Sequence, residues 1–187
     1  MQTVALISDM YGRFGDHRYM DDWTAWWSAR GFSVHSIFVD DLVPGCHGER
    51  AACNAMQDGL HARLTEVNVV AQAQKALLDR LLSLSPQMVL GFSYGGFLAG
   101  SVHAQLAPAA TMICISATRL RQILPLPSSE GIHLIFGGSD PFRPEAQLLA
   151  LSGLAVLDVP NAGHEVYRDT AACAGYVADV VSGRMLT

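Results

Sequence analysis

Gly91-Phe92-Ser93-Tyr94-Gly95-Gly96 stands between an apolar run, Gln87-Met88-Val89-Leu90, and the stretch Phe97-Leu98-Ala99-Gly100. The run reads as a buried strand and the stretch as a helix. A serine on the turn between them must sit on strained backbone with its hydroxyl projecting from the top of a sheet, and only small neighbours fit such a turn. Glycines two residues before and after Ser93 meet that demand, because a Cβ at either position would meet the adjoining strand or helix. This is the pattern of a nucleophile elbow, with Ser93 as nucleophile.

A pentapeptide is a weak signal alone, so its partners decide the reading. Asp140 closes the apolar stretch Ile132-His133-Leu134-Ile135-Phe136 after a glycine turn, Gly137-Gly138-Ser139, which puts a carboxylate at the C-terminal end of a strand, where parallel sheets build their sites. His164 follows Asn161-Ala162-Gly163, just beyond a further apolar run, Leu154 to Val159. Ser93, Asp140 and His164 therefore form a candidate catalytic triad, in the chain order of the α/β-hydrolases and not that of chymotrypsin or subtilisin. Asp158, near the end of the last apolar run, is the reserve candidate for the acid.

Apolar runs of strand length recur at Thr3–Ser8, Ser33–Val39, Gln87–Gly91, Thr111–Ser116, Ile132–Phe136 and Leu154–Val159. Helical patterns lie between them, which predicts about six mostly parallel strands with helices on both faces. One helix is expected from about Tyr19 to Arg30, with Asp21 or Asp22 as N-cap and Gly31 as its stop. Its Trp23, Trp26 and Trp27, at i, i+3 and i+4, read as a stripe packed on the sheet. Glu66 to Leu82 forms the longest helix, turning Val70, Leu77, Leu78 and Leu81 inward. Asp169 to Val181 is amphipathic, through Cys173, Tyr176, Val177, Val180 and Val181. Residues 40–65 break the rhythm, with Pro44, Gly45, Gly48 and Gly59 among polar residues, and are expected as a small lid or a mobile loop.

At 187 residues the chain is read as a single domain, 1–187, with no room for a large cap. Charged residues make up 16% against about 25% in an average soluble domain, which leaves apolar surface for a partner, a second copy in a homodimer among them, or for an apolar substrate. The net charge of −5 argues against nucleic-acid binding; the nearest approach to a basic cluster is Arg119 with Arg121. No signal-like N-terminus or membrane-length apolar run occurs, so no membrane partner and a cytoplasmic location are expected. Cys46, Cys53, Cys114 and Cys173 lack C-x-x-C spacing and read as free thiols. Cys46, His47, Cys53 and His61 match no metal-ligand spacing, so no metal and no cofactor are expected.

With triad and alternation in hand, the whole chain resembles a minimal α/β-hydrolase and, within that superfamily, is most similar to the dienelactone hydrolase family. The loop Ile7-Ser8-Asp9-Met10-Tyr11-Gly12 resembles that family's acidic-apolar-aromatic-glycine turn. The resemblance implies an oxyanion hole from the backbone N–H groups of Met10 and Tyr94, and substrate-binding roles for Asp9 and Tyr11. It also implies a carboxylate-binding role for Arg168, four residues beyond His164. The chain departs from the family in carrying Ser93 where cysteine is usual, a nucleophile that needs full general-base help. The expected activity is a serine esterase acting on a small carboxylic ester or lactone through an acyl-enzyme. The alternatives are a thioesterase acting on acyl-CoA or an acyl carrier protein, and a hydrolase-fold binding protein without turnover.

Overall fold

Successive residues of each central strand serve opposite faces of one sheet, and the packing follows that alternation. In the computed structural model, which describes residues 2–45, 53–106, 110–154 and 156–183, Ala5 and Ile7 belong to one buried cluster while Val4 and Leu6 belong to the other. Met112 and Cys114 likewise oppose Ile113 and Ile115, and Leu134 and Phe136 oppose Ile135. Strands apolar on both faces are what a sheet covered by helices on each side requires.

The strands are β1 (Thr3–Ile7), β2 (Ser33–Ile37), β3 (Met88–Phe92), β4 (Thr111–Ile115), β5 (Ile132–Gly137) and β6 (Val156–Val159). They form a single parallel sheet in the order β2-β1-β3-β4-β5-β6. The order reverses direction between β1 and β3, whose register sets Ile7 beside Gly91, so the C-terminal ends of these strands frame a topological switch point.

Helices α1 (Arg18–Ser28), α2 (Val39–Leu42), α3 (Cys53–Leu64), α4 (Val67–Leu84), α5 (Tyr94–Leu106), α6 (Ala146–Leu151) and α7 (Thr170–Val181) cover the two faces. Trp23 and Trp27 of α1, with Cys173, Val177 and Val180 of α7, close the face that carries Leu6, Leu90 and Ile113. Leu77 and Leu81 of α4 and Leu98 and Val102 of α5 close the other. Each such buried side chain contributes about 1.5–3 kcal/mol, and Trp23 also donates its indole N–H to the Tyr167 carbonyl at 3.0 Å.

Local signals mislead in two places. The N-cap of α1 is His17, without a side-chain cap, and the expected caps Asp21 and Asp22 lie inside the helix, which starts at Arg18. In α4 the fully inward positions are Val69, Ala73, Leu77 and Leu81, while Val70 and Leu78 are only partly buried, a rotation of the inward stripe by one position in its first turn. Of residues 40–65, the described ones include most of α2 and all of α3. Leu60 and Leu64 of α3 are buried, and Leu64 accepts a hydrogen bond from Tyr94 Oη at 2.7 Å. Cys46 and His47 lie outside the described residues. Among the described residues no helix is long and apolar enough to cross a membrane.

Candidate active site

Ser93 is the single residue between the last strand position of β3 and the first helical position of α5, and it takes a left-handed conformation at φ 51°. Three backbone hydrogen bonds hold it there: its N–H donates to the Ile115 carbonyl at 3.0 Å, and its carbonyl accepts from Phe97 at 3.1 Å and Thr118 at 3.2 Å. The turn closes because Gly95 has no Cβ; one built there would overlap the Ser8 carbonyl oxygen of the neighbouring β1 loop. Non-glycine residues pay for a left-handed conformation, so a serine kept in it by surrounding bonds is a strained, positioned group.

The other two elements arrive from β5 and β6. After β5 the turn bends at Gly137, where a Cβ would strike the Ala162 and Gly163 carbonyls, so its absence lets the loops after β5 and β6 touch. Ser139 N–H donates to the Ala162 carbonyl and Gly138 N–H to that of Val159, at 3.0 and 2.9 Å. Asp140 is thereby set beside His164, which opens a short 3₁₀ turn, His164–Arg168. Its Oδ1 accepts the Phe142 N–H at 2.9 Å, which fixes the carboxylate from behind.

The resulting geometry joins three residues drawn from three loops. Ser93 Oγ lies 3.0 Å from His164 Nε2, and His164 Nδ1 lies 3.0 and 3.1 Å from Asp140 Oδ2 and Oδ1. A carboxylate only accepts, so Nδ1 carries the ring proton toward Asp140, and Nε2 is left to accept from the serine hydroxyl. The Phe142 ring packs edge-on against the imidazole with centroids 4.7 Å apart. Asp158, the reserve acid, is half-exposed and pairs with Arg143 at 2.6 Å. Cys114 is fully buried on β4, and burial pushes its thiol up to about 12, out of reach of nucleophilic chemistry.

Ser93 and His164 open into a cavity of about 630 Å³, to which Met10, Tyr11 and Tyr94 also contribute. His61 of α3 reaches its rim, so part of the 40–65 segment borders the site. The other expected substrate residues lie elsewhere. Asp9 is buried, and its carboxylate accepts from the Tyr11 N–H at 3.0 Å, Tyr167 Oη at 3.1 Å and Arg168 Nη2 at 3.3 Å. Tyr19 Oη accepts the Asp9 N–H at 2.8 Å. Burial raises the Asp9 carboxyl above its usual range, against the opposing pull of Arg168 and these hydrogen bonds. Arg168 is held by Asp9, by the Asp16 carbonyl at 3.2 Å and by Glu165 at 3.4 Å, outside the lining of the Ser93 cavity.

The sequence reading passed over Thr118, Arg119, Arg121, Gln122 and Phe142 as site residues, and all five line the cavity. The first four follow β4, the strand next to the one that carries Ser93. The rule that parallel sheets build sites at C-terminal strand ends would have pointed to them.

No protein-family model and no curated protein sequence matches the chain. Among solved structures it is similar to a protein of Xanthomonas campestris pv. campestris provisionally assigned to the α/β hydrolase superfamily, with 16% identity over 98% of this chain and 99% of that one and a TM-score of 0.68. It is similar, too, to an α/β serine hydrolase homologue from Coxiella burnetii, with 13% identity, 99% and 85% of the chains covered and a TM-score of 0.61. A dienelactone hydrolase-like promiscuous phosphotriesterase from metagenomic libraries superposes with a TM-score of 0.57, at 14% identity over 95% and 86% of the chains. The chain has the α/β-hydrolase fold without a large cap.

Proposed function

We propose that this chain is a serine hydrolase of small carboxylic esters or lactones. The observation that carries the reading is the continuous hydrogen-bonded line from Ser93 Oγ through His164 to Asp140, with Ser93 and His164 lining a cavity of about 630 Å³. Ser93 attacks the carbonyl carbon as His164 Nε2 takes its proton, while Asp140 holds the ring tautomer and stabilises the imidazolium. The tetrahedral oxyanion is held by the backbone N–H groups of Tyr94, at the first position of α5, and of Met10; such a donor is worth about 10²–10³ in rate. The imidazolium then returns its proton to the leaving alcohol, the acyl group stays on Ser93, and a water activated by His164 releases the acid. The hydrolase names among the structural neighbours, one of them dienelactone hydrolase-like, support the reading as far as a hydrolase.

A fluorophosphonate probe tests it. Covalent mass gain at Ser93, with loss of ester turnover in Ser93→Ala, is the expected result. Modification of another serine, or an active Ser93→Ala protein, overturns it. An ester, lactone and thioester panel then ranks the leaving groups.

A further inference from the structure

Arg13, Arg18, Arg80, Arg143 and Arg168 each form an ion pair with a carboxylate. Arg119 and Arg121 both line the cavity that holds Ser93, and neither has a carboxylate partner among the described residues. Arg119 is the more constrained of the two. Its backbone is left-handed at φ 56°, and the preceding Thr118 donates its N–H to the carbonyl of Ser93. Its guanidinium carbon lies 5.7 Å from the Phe97 ring centroid, and its Nε is shut off from solvent with no hydrogen-bond partner among the described residues. Glu165, the acidic residue on the same lining, is exposed and has its carboxylate 3.4 Å from Arg168 Nε. The cavity is thus lined by positive charge in a chain whose net charge is −5.

A partly desolvated guanidinium without a counter-charge is costly, and a left-handed non-glycine residue adds backbone strain at the same position. An anion delivered by a ligand offsets the first cost, and the fixed backbone aims the planar fork that binds it. We propose that Arg119 is the anion anchor of the pocket: the ester bound at Ser93 carries a carboxylate, on its acyl or its leaving side, that the Arg119 guanidinium holds. This rests on the serine-hydrolase reading above.

Two matched pairs locate the charge: mono(4-nitrophenyl) succinate with its methyl ester for the acyl side, and 4-acetoxybenzoate with its methyl ester for the leaving side. The expected result is that Arg119→Gln lowers the anionic-to-neutral ratio of kcat/KM by about ten- to a hundredfold in one pair, mainly through KM. Arg119→Lys, which keeps the charge and loses the fork, should fall between. Unchanged ratios in both pairs, in variants whose circular dichroism and Tm match the parent, overturn the proposal. A failure of the catalytic reading is recognised separately, as absence of the Ser93 adduct. The anion site is then decided by calorimetric titration of Ser93→Ala with succinate: binding that is lost in the Ser93→Ala/Arg119→Gln protein upholds it, and equal binding, or none in either, overturns it.

Discussion

The guanidinium of Arg168 donates to the carboxylate of Asp9, Nη2 to Oδ2 at 3.3 Å, joining the loop after β1 to the turn that begins at His164. Asp9 shapes the backbone on which Met10 sits, through its bond to the Tyr11 N–H, and Tyr167 next to Arg168 lines the cavity. The pair is therefore a brace between two walls of the site. Arg168→Ala should cost about 1–3 kcal/mol of stability by leaving a buried carboxylate undercompensated. It should leave the preference between anionic and neutral esters as it was, since Arg168 does not line the cavity. Chemical denaturation and paired kinetics read the two effects.

A pH dependence follows from the same carboxylate. The Asp9 pKa is raised in the folded protein, chiefly by burial, so the native state holds a proton more tightly than the unfolded chain does. Its contribution to stability is then fully present below the unfolded value of about 3.9 and is lost as pH rises through the raised folded value. Asp9→Asn keeps the acceptor oxygen and removes the titration. The stability of the parent relative to Asp9→Asn should fall from about pH 4 upward and then level, in urea titrations run at matched ionic strength; a difference independent of pH contradicts the assignment.

Asp140→Asn should fold normally and lose activity by about 10⁴, the loss that follows when a triad histidine is left in the wrong tautomer. Asp158→Asn is expected to change kcat/KM by less than about threefold, because that carboxylate is half-exposed and engaged with Arg143. Reversal of the two results would move the acid to Asp158.

Two glycine-to-alanine substitutions should differ in sign. At Gly95 the new Cβ would overlap the Ser8 carbonyl, so the turn must open, at a cost of more than about 3 kcal/mol and with loss of the Ser93 adduct. At Gly175, exposed in α7, a Cβ meets nothing, and alanine should stabilise the helix by about 0.5–1 kcal/mol. Thermal unfolding of the two variants checks both.

Tyr94→Phe removes the bond that ties α5 to the last turn of α3. A loss of about 1–2 kcal/mol is expected, since the Leu64 carbonyl is left without that donor. Earlier proteolysis within α3 should accompany it in limited digestion.

Six strands were legible in the sequence because each is a short apolar run bounded by turn residues, a property of neighbours along the chain. The observed strands start and stop within two residues of those runs. Helix α3 was not legible, since its sequence carries no periodic apolar stripe, whereas Leu60, Leu64 and the Tyr94 hydroxyl tie its last turn to the core. The N-cap of α1 was misread for a related reason: Tyr19 and Met20 pack against the sheet within the helix, ahead of the acidic residues that look like its cap.

What the sequence determined by itself is the set of local devices: a serine between glycines at a strand end, an acid after a glycine turn, a histidine after another, in a fixed order along an alternating chain. Each depends on steric demands within a few residues. Tertiary structure alone decided which charged groups meet. Asp140 and not Asp158 lies against His164, because Gly137 lets two loops close on one another. Arg168 turns to Asp9, and Arg119, more than twenty residues from any member of the candidate triad but linked through Thr118 to the Ser93 turn, lines the cavity instead. Charge pairing acts across space over a few ångströms, and which residues share that space is set by sheet order and loop closure, which no local spacing records.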